Sequence, residues 1–225
     1  LSGTYTQAGT LTANNSVVNL GGSFTLADLG ALNLTNTQLN HTGTLTNNAP
    51  GGLDIGSFGT EWRLVGGTIL GGSVNGAGPL NVTGNSKVSG VTFDTDVQVA
   101  NSSSLTIENG LTLNSTLALG TSSWGYLRWQ GTQTLDGTGK VTFSNASSSL
   151  FPVSGTLTIE SGIEVEGYGQ LVGPWINRGT LRNTTTNTLT LSGSGWVNEG
   201  LIETTSTGDL SWTGAGTNNG VLALG

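Results

Sequence analysis

The chain has 225 residues, among them 38 Gly and no Cys, and its 13 Asp and Glu against six Lys and Arg give a formal net charge of −7. Without Cys there are no disulfides, thiolate metal sites or cysteine nucleophiles, and the acidic balance argues against nucleic acid, which needs a basic stripe to meet its phosphates. Only 8% of residues are charged, yet 34% are hydrophobic and are spread evenly in short runs such as "VQVA" and "LTLS", so the chain is expected to fold, and to fold as β structure.

No apolar run approaches the ~20 residues of a membrane span. The opening "LSGTYTQ" reads as strand-like rather than as a signal peptide, which fits a piece of a longer chain better than a natural start. Tyr5 to Leu11, "YTQAGTL", is the first of five copies of a heptapeptide: an apolar residue, one more residue, an amide, any residue, Gly, then two strand formers. Leu26, Leu29 and Leu32 in "FTLADLGAL" have helical spacing, a turn of helix or a lid, in a segment (24–43) where the glycine period slips. The second copy, "LNHTGTL" from Leu39 to Leu45, places the single histidine, His41, where the others carry an amide. It is expected to be a turn residue standing in for Asn, not a catalytic base.

Further along, Trp62 alternates with Leu64, Trp129 with Leu127 and Trp212 with Leu210, which assigns all three indoles to the core face. Asp94 and Asp96 in "FDTDV" are expected on one strand face as solvated surface, with calcium coordination or an acid–base pair as the alternatives. An acid–base pair would also need a basic group, and Lys87 and Lys140 fall in other coils. Glu160, Glu164 and Glu166 form a denser acidic face to which the same reading applies. Between Thr156 and Gly173 the runs "TLTIE", "IEVEG" and "QLVG" have period two, pointing Leu157 and Ile159 inward and Thr156 and Thr158 outward.

The clearest copies of the heptapeptide are "WINRGTL" (Trp175 to Leu181) and "WVNEGLI" (Trp196 to Ile202), with a weaker "GTNNGVL" ending at Leu222. Glycines followed by small strand formers recur at Gly67, Gly90, Gly110, Gly131, Gly155, Gly179, Gly200 and Gly220, in steps of 20 to 24. A period of that length with no helical pattern predicts a β-solenoid. The expectation is all-β: a single right-handed parallel β-helix of about ten coils over residues 1–225, three strands and three turns per coil, with almost no helix. At ~4.8 Å per coil the rod is roughly 50 Å long.

Stacking gives the repeated positions their roles. Asn177, Asn198 and Asn218 are expected to form a ladder at one turn, since an amide carries both donors and an acceptor. Gly179, Gly200 and Gly220 are expected to supply backbone angles closed to other residues. Arg178 falls over Glu199 and Arg182 over Glu203; opposite charges on neighbouring strands contribute ~0.2–1 kcal/mol and hold register, a reading favoured over a binding patch. Trp175 and Trp196 stack beside the Asn turn. Packing is the favoured role for them, and glycan contact by partly exposed rings is the alternative.

There is no GxSxG, SxxK, HExxH, phosphate loop or GGxGxD calcium repeat. No enzyme activity and no cofactor are expected.

The stretches "GGTILGGSV", "LTIENGLTLNSTLALG", "GTQTLDGTG", "GTLTIESGIEVEG" and "TLTLSGSGWVNEGLIE" resemble the long repeats of giant bacterial surface proteins, the filamentous-haemagglutinin-like and autotransporter-like adhesins. The resemblance runs from about Trp62 to Leu224. It implies an exported, extracellular rod acting as stalk, adhesin or envelope component, with neighbouring repeats of the same chain as partners and a surface glycan or another cell surface as a further one. It carries no site residue. The function expected is therefore a non-catalytic structural or adhesive segment; the alternative is a carbohydrate-binding or carbohydrate-active β-helix, lyase-like or phage-tailspike-like. Ice binding would need Thr-x-Thr on every coil, whereas Thr10/Thr12, Thr44/Thr46, Thr156/Thr158 and Thr188/Thr190 fall in separate, non-consecutive coils.

Overall fold

The computed structural model describes residues 1–58, 61–205 and 207–225. Short period-two runs broken by Gly, Asn and Ser can bury one face only by stacking on copies of themselves. The result is an all-β parallel solenoid of about ten turns, 1% helical. One coil shows the plan: Gln170–Val172, Trp175–Asn177 and Thr180–Asn183 are three strands on three faces, joined by three corners. The face holding Thr180–Asn183 is an unbroken ladder of eleven parallel strands from Val17–Leu20 to Val221–Leu224. The other two faces merge into one 17-stranded sheet, because Asn85–Phe93 and Ser103–Leu113 run around the corner between them without a break. Their register shifts between Ser89 and Val91, and Gly90, Asn109 and Gly110 take left-handed backbone angles at the bend.

Inward side chains form one continuous apolar column. Leu64, Val82, Val99 and Leu119 stack on the first face, and Leu105, Leu127, Leu150 and Leu171 on the second, all fully buried. Leu157 and Ile159 point inward as expected, with Thr156 and Thr158 half-buried on the outer side. Each buried aliphatic side chain removes enough apolar surface to contribute ~1.5–3 kcal/mol.

The coil length varies more than the glycine spacing implied. On the first face Lys140 pairs with Glu164 and Glu164 in turn with Thr180, so one coil is half again as long as the next. The glycine series therefore mixes corners: Gly155 lies on Gly131, and Gly200 on Gly179, but Gly179 packs against Ile163 and Glu160 rather than on Gly155. The irregularity assigned to 24–43 dissolves for the same reason. Thr10 pairs Ala31, Val17 pairs Gln38 and Ser23 pairs Thr44, the same offset on all three faces. Gly30 and Gly43 simply sit at different corners. The true break comes later: Thr10–Asn14 and Ala31–Thr35 form a separate two-stranded sheet, and the third face resumes at Leu53–Asp54. The helical spacing at Leu26 and Leu29 is one 3-10 turn, Ala27–Leu29, which buries Leu29.

The heptapeptide itself is a corner, and it serves all three. "WINRGTL" and "WVNEGLI" turn from the third face to the first, "LNHTGTL" from the first to the second, and "YTQAGTL" from the second, where Thr4 bridges Ser23, to the third.

Candidate functional site

The third-to-first corner carries a ladder of side-chain amides. Asn177, Asn198 and Asn218 end three successive strands with side chains turned inward. Asn177 Nδ2 donates to Asn198 Oδ1 and Asn198 Nδ2 to Asn218 Oδ1, each at 2.7 Å. Asn177 and Asn198 are fully buried. Each also donates at 3.3 Å to the carbonyl two residues on, Gly179 or Gly200, holding the turn. The ladder starts at Asn177 because the coil before it places Ile159 in register there. Gly179, Gly200 and Gly220 are required for a reason other than backbone angle. None has a positive φ, but a Cβ on Gly200 would strike the carbonyl oxygen of Gly179, and one on Gly220 that of Gly200. The corners stack too closely for any side chain.

The charge pairs form as expected, and each arginine has a second partner. Arg178 Nε donates to Glu199 at 3.0 Å and its Nη1 to Glu160 at 3.1 Å. Arg182 bonds Glu203 and, at 2.7 Å, Glu164. Lys140 bridges Glu164 and Glu166. The acidic face of Glu160, Glu164 and Glu166 is thus interleaved with three cations, one coil on either side. The Lys140 ammonium hydrogen-bonded to Glu166 holds that carboxyl below its usual range, and Lys140 in turn is raised. These carboxylates are consumed in pairing between coils.

Asp94 and Asp96 do not share a strand face. They flank Thr95 in the turn between Asn85–Phe93 and Val97–Val99, both exposed. Asp94 accepts from Asn114 Nδ2 at 2.8 Å, and Asp96 from the Thr116 amide at 2.9 Å. Each therefore caps the coil above. Thr95 between them is buried and donates to the Gly76 and Gly78 carbonyls. Among the described residues no three His, Cys, Asp or Glu come together to hold a metal ion.

His41 reproduces the Asn turn locally, its Nε2 lying 3.0 Å from the Gly43 carbonyl, two residues on. It does so at a different corner, in register with Leu20 and Leu64 in the apolar column. It is fully buried, edge-on to Phe24 and Trp62, and burial holds its pKa down to about 4.

Trp175 and Trp196 are buried rather than partly exposed. Their rings stack at 5.5 Å inside the core, which removes them as glycan contacts. Trp62 and Trp129 are core residues as assigned, while Trp212 is only partly buried, packed edge-on to Trp196.

An outward-facing, half-buried aromatic patch lies elsewhere, on the outer side of the second face. In "WGYLRW" (Trp124 to Trp129) Leu127 and Trp129 point inward, which turns Tyr126 and Arg128 outward. Trp124 stacks on Tyr126 at 4.4 Å, Tyr126 meets Phe151 of the next coil edge-on at 4.9 Å, and the Arg128 guanidinium lies 5.0 Å over the Phe151 ring. All four are half-buried, and Val153 beside them is exposed. Alternation alone placed Tyr126 and Arg128 outward, so this much was available in the sequence. Phe151 was not, because its pairing with Arg128 depends on the length of the coil between them.

In comparisons with known proteins, no family model, no curated protein and no solved structure matches the chain.

Proposed function

We propose that the chain is a non-catalytic structural or adhesive rod segment of a large exported bacterial surface protein. The observation that carries this reading is the consumption of polar side chains in joining coil to coil. Asn177, Asn198 and Asn218 bond one another along the axis, and Glu160, Glu164, Glu166, Glu199 and Glu203 each face a cation. A groove working on a substrate keeps an acid and a base free to converge on a reacting atom; here the carboxylates and cations converge on each other. Regular stacking with a shared core suits a spacer that holds something away from a surface. No helix among the described residues is long and apolar enough to cross a membrane.

Antibodies raised against the folded chain should label intact producing cells without permeabilisation. Labelling only after lysis would refute export. Turnover of any polysaccharide by the purified chain would refute the non-catalytic half of the proposal and favour the carbohydrate-active alternative.

A further inference from the structure

Five of the six basic residues are matched to carboxylates: Arg63 to Glu61, Lys87 to Glu108, Lys140 to Glu164 and Glu166, Arg178 to Glu160 and Glu199, and Arg182 to Glu164 and Glu203. Arg128 is the exception among the described residues. It has no acidic partner, its Nε is buried without a hydrogen-bond acceptor, and its one contact of note is the Phe151 ring. In a chain with 13 acidic residues, an arginine left unmatched beside three outward aromatics is out of keeping with the way every other cation is used.

We propose that Trp124, Tyr126, Arg128 and Phe151 form a binding site for an acidic saccharide, a sugar carrying carboxylate or sulfate, on the side of the rod. The chemistry of the site selects this occupant. Trp124 is half-buried on the outer side, and among the described residues its one ring partner is Tyr126, so the pair presents the kind of aromatic surface that receives the apolar C–H face of a pyranose. Arg128 supplies a planar fork of donors that fits a carboxylate or sulfate group, and Phe151 beneath it keeps the guanidinium in place through its ring face. The surrounding sheet is a rigid parallel ladder, with Arg128 paired in register to Thr106 on one side and Phe151 on the other, so little order has to be imposed on binding. The four side chains lie along the outer side of a sheet face, which suits one unit of an extended polymer held by repeated weak contacts. This inference goes beyond the rod reading and does not depend on it.

The test is binding of alginate, dextran sulfate and neutral dextran to the whole chain, followed by tryptophan fluorescence and calorimetry at low and moderate salt. At least one of the two acidic polymers should bind ten-fold or more tightly than dextran, despite the chain's net charge of −7, and which one binds identifies the anionic group. Arg128→Gln should weaken that binding at least ten-fold, and Trp124→Ala similarly, with melting temperatures close to the parent's. A control variant, Lys87→Gln, changes a matched cation on the same face and should leave binding within two-fold. The proposal is overturned if neither acidic polymer binds, if dextran binds equally well, or if poly-glutamate competes as strongly as the saccharide. Self-association of the chain that Arg128→Gln abolishes would also overturn it, by showing that a second copy covers the patch. Surface labelling of cells is unaffected by any of these results, so the two proposals fail separately.

Discussion

Replacing Asn198 with Ala removes the central rung of the amide ladder. Asn198 is fully buried, accepts from Asn177 at 2.7 Å and donates to Asn218 at 2.7 Å. Two such bonds contribute about 1 kcal/mol each in net terms. Its longer contact to the Val221 carbonyl, at 3.4 Å, adds little. Asn177 keeps the Gly179 and Leu201 carbonyls at 3.3 and 3.2 Å, so its amide is not stranded. The small space left by truncation brings the expected loss to roughly 2–3 kcal/mol. Asn218→Ala deletes the exposed end of the same ladder and should lose less than about 1 kcal/mol. Asn198→Asp keeps the acceptor but turns the donor into a second oxygen facing Asn218 Oδ1 and the Gly200 carbonyl. At neutral pH it should be worse than Ala, because it buries an unpaired charge. As pH falls and the carboxyl takes up a proton it can donate again, so its deficit against the parent should shrink. Urea unfolding followed by far-UV circular dichroism and indole fluorescence measures all three. Equal losses for Asn198→Ala and Asn218→Ala, or an Asp variant indifferent to pH, would show that the ladder contributes nothing and that only the core holds the register.

Three further outcomes follow from the same geometry. His41 has its folded pKa lowered from 6.5 to about 4, so the unfolded chain protonates first as pH falls. The parent should lose roughly 3 kcal/mol between about pH 6.5 and 4, and His41→Leu, matching Leu20 and Leu64 on the adjoining coils, should lack that part of the slope in melts across this range. Glu199→Arg should destabilise by up to about 1 kcal/mol at low salt and less at high salt. Adding Arg178→Glu should restore only part of the loss in thermal melts, because Glu160 then faces a like charge; full restoration would mean Glu160 takes no part. Gly200→Ala drives a Cβ into the Gly179 carbonyl and should cost more than about 2 kcal/mol by denaturant midpoint. Gly66→Ala, at φ 68 with open space around it, should cost only the ~1–2 kcal/mol of a left-handed backbone.

The sequence by itself determined the solenoid. Alternation in runs such as "LTLS" and "VQVA" sets which side chains face inward, and the near-repeat at Trp175 and Trp196 sets the offset that brings Asn177 to Asn198 and Arg182 to Glu203. These relations are local, or lie within one regular stretch, so counting along the chain suffices. Elsewhere counting fails, because a corner can absorb extra residues without disturbing the strands it joins. A long coil and a short one meet at Glu164, and only the hydrogen-bonded ladder decides what lies over what. The tertiary structure therefore decided that Arg178 also reaches Glu160 and that Gly155 and Gly179 belong to different columns. It buried Trp175 and Trp196, because strand parity points them into a core that the next coil closes. It also brought Phe151 under Arg128 on the outer face, a meeting that depends on the length of one intervening coil and on nothing in either residue's own neighbourhood.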